Sequence, residues 1–359
     1  MKTTIKTHLQ RWLPSLGLIL VAAVSLPSAI ADPEILYVGD NGTNTVKRFN
    51  ALTGQALGGG HSTGVYVAPN SGGLYGPRAL LVDSGKLLVV NQNQDQPFNG
   101  EVLRYRLSDG FPDQPLVPAS NVQSPYAPLG AVSWRGVIYV SDFTDSADGT
   151  GRLLAFDEKK GTFLDAFDPP AGFAHSFHPR GLVIGSNGLL YVASVPTFPP
   201  TVGGEVLVFD PETLDFIGAF ISDIGGIGQL NRPEGLVFGP DGNLYITSFR
   251  ANPTDIDSVR IYDATSGVFI DKIDWYAPGQ PRAFAQALLF GPGGKLFVPI
   301  TGGNVATTGQ VRRYDVTTKL FNLLVPAGAS LVQPFYLTFD RTDPGTLLYR
   351  DHGKGHHHK

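Results

Sequence analysis

One phrase recurs along the chain and limits what it can become. Its clear copies are Pro77-Arg78-Ala79-Leu80, Pro179-Arg180-Gly181-Leu182 and Pro233-Glu234-Gly235-Leu236. Weaker copies are Pro128-Leu129-Gly130-Ala131, Ala285-Gln286-Ala287-Leu288 and Pro334-Phe335-Tyr336-Leu337. A turn follows the phrase, as in Ser186-Asn187-Gly188, Pro240-Asp241-Gly242 and Pro292-Gly293-Gly294, and then a short apolar run such as Leu244-Tyr245-Ile246-Thr247. After a looser loop comes a second run ending in an aromatic residue: Phe49, Tyr105, Phe156, Phe209, Tyr262 and Tyr314, at intervals of 51 to 56 residues. A repeat of this length is one supersecondary unit that cannot bury its own faces and must stack on its neighbours.

Each unit reads as four short strands, A to D, with period-two apolar alternation and turn signals between them. The expected fold is therefore all-β: a six-bladed β-propeller of four-stranded antiparallel blades. Six units of about 52 residues fit the chain, whereas seven would need roughly 364. The chain opens on a B-like strand, 35–39, with no A strand before it. It ends with a spare A strand, 334–340, which would join the N-terminal blade, close the ring and remove two exposed edges. A further B-like stretch, 346–350, competes for the slot of 35–39 and leaves seven blades with a truncated last blade as the alternative.

The first residues read differently. Lys2, Lys6 and Arg11 precede the apolar run 16–24, and Ser28-Ala29-Ile30-Ala31 supplies small residues at a cleavage site. Residues 1–31 are expected to be a secretory signal peptide, too short in its apolar part for a stable span. Residues 32–351 are expected to form a single propeller domain, and 352–359 a flexible His-containing tail. A periplasmic or extracellular bacterial setting and a monomer are expected, with no membrane span in the mature chain. Without the leader the 27 basic residues fall to 24 against 31 acidic ones. Such a surface is a poor partner for nucleic acid, whose binding depends on basic groups releasing counterions from phosphate. The sequence has no Cys, so thiolate sites and disulfides are excluded.

The stretch Pro233-Glu-Gly-Leu-Val-Phe-Gly-Pro-Asp-Gly-Asn-Leu-Tyr-Ile-Thr247, followed by Val259-Arg-Ile-Tyr-Asp263, resembles an NHL repeat. Copies at 179–220 and 128–167 match less closely, and the resemblance covers about 35–350. It implies a propeller of the NHL-like, TolB-like and gluconolactonase-like group. That group includes protein and RNA binders, lactone or ester hydrolases and lyases, so the resemblance specifies fold and leaves function open.

Function is expected on one face. A–B and C–D turns are short and stereotyped, while B–C and D–A loops are long and differ in every blade. In an up-and-down blade those two loop sets share a face, where rigid strands present variable loops. Aromatics there include Phe98, Phe143, Phe198, Phe249, Tyr126, Trp275 and Tyr276, with Arg250 beside them. Such rings stack on sugars, pack on a protein partner or fill gaps between blades. The inner ring carries Arg78, Leu129, Arg180, Glu234, Gln286 and Phe335, one from each phrase. Arg78, Arg180 and Glu234 suit a carboxylate or phosphate, or simply each other. B-strand ends add Asp40, Asn91, Asp142, Ser194, Ser248 and Thr301. The resemblance to gluconolactonase-like propellers implies a divalent cation, such as calcium, with Asn91, Asp142 and Glu234 as ligands and Arg180 or His178 assisting. Two arginines in the inner ring oppose that cation. No catalytic set assembles from the sequence: His175-x-x-His178 lacks a third ligand, and no nucleophile elbow is present. The leading expectation is a secreted binder of a ligand, glycan or protein partner. The alternative is a metal-dependent lactone or ester hydrolase, or a lyase, at the channel mouth.

Overall fold

The computed structural model describes residues 34–351 apart from 59–62, 146–148, 176, 196–202, 224, 278, 303–308 and 329. The expected leader, 1–31, and tail, 352–359, lie outside the described residues, as does Phe198. Six sheets form six blades, five of four strands and one of three. Each four-stranded blade is a meander with the repeat phrase at or just before its inner strand. In the fifth, Leu236–Phe238, Leu244–Ser248, Ser258–Tyr262 and Phe269–Asp274 follow one another, with Leu244 opposite Tyr262 and Ser248 opposite Ser258. No helix among the described residues is long and apolar enough to cross a membrane.

The ring closes as expected. Pro334–Phe339 pairs antiparallel with Ile35–Asp40, so the last inner strand completes the first blade. Blade 2 departs from the pattern. Its fourth strand is reduced to the isolated bridges Tyr105–Pro112 and Val102–Val117. Pro112, Pro115 and Pro118 interrupt that segment, and proline has no N–H to give to a ladder.

The core lies between blades. Six hydrophobic clusters are each built mainly from two neighbouring blades, such as Val183, Tyr191 and Val206 of blade 4 against Leu236, Leu244 and Ile246 of blade 5. Middle strands are buried on both faces, which explains why Leu190–Ser194 reads as a nearly continuous apolar run. The six repeat aromatics are all buried. Four meet the first aromatic of the next strand edge-on or tilted, as Phe156–Phe163, Phe209–Phe216, Tyr262–Phe269 and Tyr314–Phe321.

The seven-blade alternative is corrected. Residues 342–350 form a small hairpin bridged at Thr342–Tyr349, not a strand of a further blade. The Ser133 amide donates to Pro344 O (2.8 Å) and the Ile184 amide to Gly345 O (3.0 Å), which docks the hairpin at the A–B turn end of the ring. Leu347 packs against five of the six clusters and lines a central cavity of about 50 Å³. The channel is therefore stopped at the end opposite the long loops.

Candidate functional site: the channel mouth

The repeat phrase sets up the mouth. In three blades the ladder lapses just after the Pro, between Pro77 and Leu80, Pro128 and Ala131, and Pro179 and Leu182. The residue after each Pro thereby turns to the axis. The small residue that follows lets inner strands touch. A Cβ on Gly181 would lie 2.5 Å from Glu234 O, and one on Gly130 would lie 2.2 Å from Arg180 O. With glycine there, the Gly181 amide donates to Glu234 O at 2.7 Å and pins the backbones of Arg180 and Glu234 together.

Four expected ligand residues meet here. Arg180 Nη1 donates to Glu234 Oε1. Arg78 donates through Nε and Nη2 to Gln92 Oε1 (2.8 and 2.6 Å) and through Nη1 to Gln286 Oε1 (3.0 Å). Arg78 and Gln286 belong to blades 2 and 6, so this contact passes blade 1. Phe335 of blade 1 lies under the Arg78 guanidinium at 4.5 Å, and Phe143 under that of Arg180 at 4.4 Å. Tyr336 replaces the small residue of the other copies. Among the described residues its buried hydroxyl has no hydrogen-bond partner, and neither do Glu234 Oε2 and Arg180 Nε.

Burial dominates the electrostatics. It pulls the Arg78 guanidinium down to about 10, with Arg180 acting in the same direction and Tyr336 and Glu234 opposing. Burial also pushes the Tyr336 phenol up, helped by Glu234. His178 is pulled below the usual imidazole range by burial and by Arg180, against its hydrogen bond to Phe143 O. It is neutral at neutral pH.

A second pair of arginines, absent from the sequence-based expectation, lies beside this ring. Arg232 and Arg282 sit over the Phe249 ring at 5.6 and 4.8 Å, and Arg282 over Phe284 at 5.0 Å. Asp257 is 3.6 Å from Arg282 Nη2, and its oxygens accept the Arg250 and Ala283 amides. Arg232 Nε and Arg282 Nε and Nη2 are buried without hydrogen-bond partners among the described residues. Arg232 and Phe284 hold left-handed backbone, at φ 44° and 49°. Strain of that kind persists where surrounding structure enforces it. Burial lowers Arg232, and Arg282 adds to that effect. Arg250 supports the pair: its carbonyl accepts from Arg232 Nη2 and its own Nη1 donates to Gln280 O.

The other expected residues have different surroundings. Trp275, expected on the loop face, is 2% exposed within the cluster between blades 5 and 6, and its carbonyl accepts from Arg312. Asn91 and Asp142 hold their own blades. Asp142 accepts the Tyr126 and Ala127 amides (2.9 and 2.7 Å) and pairs with Arg152 at 2.7 Å. Burial raises Asp142, and those three donors oppose it. Asn91 Oδ1 accepts the Tyr75 amide, while its Nδ2 donates to Gly73 O, Asn93 and Glu101. The same arrangement recurs at Asp40 with Gln333, Ser194 with His178 and Ser248 with Asn231. The B-strand end thus anchors the loop entering the inner strand. Of the expected cation ligands, Glu234 alone contacts the inner ring, and it is paired with Arg180. Among the described residues no three His, Asp or Glu side chains converge on a common point. This donor set does not fit a divalent cation.

No protein-family model matches the chain, and no curated protein matches it. Its fold is shared with solved structures. A Bacteroides fragilis protein provisionally assigned as a 6-phosphogluconolactonase is 16% identical with a TM-score of 0.54, over 87% of this chain and 99% of that one. The periplasmic gluconolactonase of Pseudomonas aeruginosa is 17% identical with a TM-score of 0.52, over 81% of each chain. A Bacteroides caccae protein of unknown function is 12% identical with a TM-score of 0.52, over 84% and 93%. At these identities the likeness establishes the propeller architecture alone. Fold and site together define a six-bladed β-propeller with an arginine-rich channel mouth.

Proposed function

We propose that this is a secreted propeller that binds a small organic anion, a carboxylate or phosphate, at the channel mouth. The carrying observation is an excess of positive charge on one buried and three half-buried arginines. Among the described residues, Arg78, Arg180, Arg232 and Arg282 cluster with Glu234 and Asp257 as the acids opposing them, and the hydrogen bonds of Arg78 go to neutral amides. A desolvated guanidinium without a counter-ion is costly, and an incoming oxyanion with matching acceptors offsets that cost.

A thermal-shift screen tests this reading with gluconate, glucuronate and inorganic phosphate against glucose. A ligand held only by the folded state adds about 2.7 kcal/mol at a hundredfold excess over Kd. The anions should raise Tm, glucose should not, and Arg180→Met should remove the shift. Equal shifts for charged and neutral compounds, or none for any, would overturn the reading.

A second reading has one observation behind it. Glu234 Oε2, with no partner among the described residues, is buried beside the mouth, where it could serve as a base toward water in lactone or ester hydrolysis. The gluconolactonase fold neighbour makes δ-gluconolactone the first compound to try. That reading requires turnover by the native chain and its loss in Glu234→Gln.

A further inference from the structure

Away from the axis, the loop between the B and C strands of blade 2 builds a cleft that the channel mouth does not explain. Its sequence is Asn91-Gln-Asn-Gln-Asp-Gln-Pro-Phe-Asn-Gly100. Together with Tyr126 and Ala127 of the next D–A loop, residues 92–99 line an open-sided cleft of about 390 Å³. That volume accommodates one or two pyranose rings.

The cleft is shaped by its own bonds. Asn93 and Asp95 hold left-handed backbone at φ 53° and 61°. Asn93 Nδ2 donates to Asn99 O at 2.8 Å, and the Gln96 amide donates to Asn93 O at 2.9 Å. Asn99 Nδ2 reaches Ser124 Oγ at 3.1 Å, which joins the two loops. Tyr126 is fixed from behind through its amide to Asp142. Two aromatic side chains remain in the open: Phe98 is 51% and Tyr126 39% exposed. Around them stand the side chains of Gln94, Gln96 and Asn99, with one carboxylate, Asp95, and with Gln92, whose Oε1 is already held by Arg78.

We infer that this cleft is a carbohydrate-binding site for a neutral pyranose residue, with Phe98 and Tyr126 as its apolar platform. A pyranose has an apolar C–H face and a rim of hydroxyls that both donate and accept. An aromatic ring matches the face, and a carboxamide, which carries a donor and an acceptor side by side, matches a pair of neighbouring hydroxyls. Only one of the lining side chains named above is charged, so the cleft does not select for an ionic ligand. The cleft adjoins the anion site through Gln92, whose Oε1 Arg78 holds, so its test rests on Phe98 and Tyr126, which lie outside the inner-ring phrases.

The test is direct binding to immobilised cello-, malto-, manno-, xylo- and chitotetraose, followed by calorimetry on any that bind. At least one should bind, and Phe98→Ala and Tyr126→Ala should each weaken it at least tenfold. Both side chains are exposed, so each variant should keep the native melting temperature, which shows that lost binding is not lost folding. Absence of binding to all five glycans would overturn the inference. So would binding that survives in the Phe98→Ala Tyr126→Ala double variant.

Discussion

Replacing Glu234 with Gln separates the two readings of the channel mouth. The carboxylate lies against Arg180, with its second oxygen buried and without a partner among the described residues. An anion bridging Arg180 would come to about 5–6 Å from that carboxylate. Two unit charges at this distance repel by about 3 kcal/mol at an effective dielectric constant of about 20. The carboxamide keeps the shape and an acceptor for Arg180, so removal of the repulsion is the main change. Some of it returns as a cost, because Arg180 loses its counter-ion in the empty protein. Breaking a buried ion pair outright costs about 3–5 kcal/mol, and with the acceptor kept and Arg180 still 14% exposed about 1–2 kcal/mol is expected. Unfolding in urea checks that figure and confirms a folded variant. Calorimetric titration with the best anion from the thermal screen should then show binding tighter by about 1.5–3 kcal/mol, or roughly ten- to a hundredfold. Equal or weaker binding in the variant would refute the electrostatic argument. Hydrolysis of δ-gluconolactone by the native chain and its disappearance in the variant would put Glu234 in catalysis.

Three other expectations concern the frame around the site. Glu158 is raised from 4.5 to about 7, first by a hydrogen bond with Asp83 and then by burial. A carboxyl with a raised folded-state pKa stabilises the fold fully below about 4.5 and loses that contribution as pH rises through about 7. Since the group keeps substantial solvent contact, the effect should be about 1 kcal/mol or less, and it should vanish from the pH dependence of urea unfolding in Glu158→Gln. Gly130→Ala forces a Cβ to 2.2 Å from Arg180 O and should cost about 2–3 kcal/mol in the same assay. Excess chelator should leave Tm unchanged, because Asn91 and Asp142 already serve their own loops; a drop restored by calcium would reinstate a cation.

The blades were legible because propeller geometry imposes the same local requirement six times. Inner strands converge on the axis, so the phrase needs a small residue where one backbone meets the next, and Gly130, Gly181 and Gly235 record that requirement. The buried aromatic that ends each third strand is set by blade-to-blade packing in the same way. Residues 346–350 misled because alternation marks a strand only if a partner edge exists, and Ile35–Asp40 already occupies the edge of Pro334–Phe339. Trp275 misled for a related reason: its place in a long loop says nothing of whether the loop folds inward, and here it enters the core between blades 5 and 6. Asn91 and Asp142 carry oxygens that serve a metal or a backbone N–H equally well. Only the position of the Tyr75, Tyr126 and Ala127 amides decides between these roles.

Arg232 and Arg282 escaped notice because neither occupies the repeated inner-ring position. Arg232 precedes the repeat Pro, where a residue reads as linker, and Arg282 lies in a D–A loop before the weak copy at 285–288. Their placement beside Arg180 is what converts an inner ring of mixed charge into a cationic mouth. The material beneath strengthens that field. Below Arg78 and Arg180 lie Tyr336, then Leu80, Leu182, Leu236, Leu288 and Leu337 around a cavity of about 50 Å³, and finally the Leu347 stopper. This apolar column excludes bulk solvent from one side of the guanidinium groups, so their charge is screened only from the loop face. An anion can approach only from that side, since the hairpin that carries Leu347 occupies the other. Leu347→Ala should lower stability by about 1–2 kcal/mol and speed hydrogen exchange of the Ser133 and Ile184 amides, which donate to the hairpin. If a wider lower end let water into the column, anion affinity should fall as well, although Leu347 lies at the end of the column away from the long loops. Unchanged affinity with faster exchange would show that the apolar column is structural support and contributes nothing to the field at the mouth.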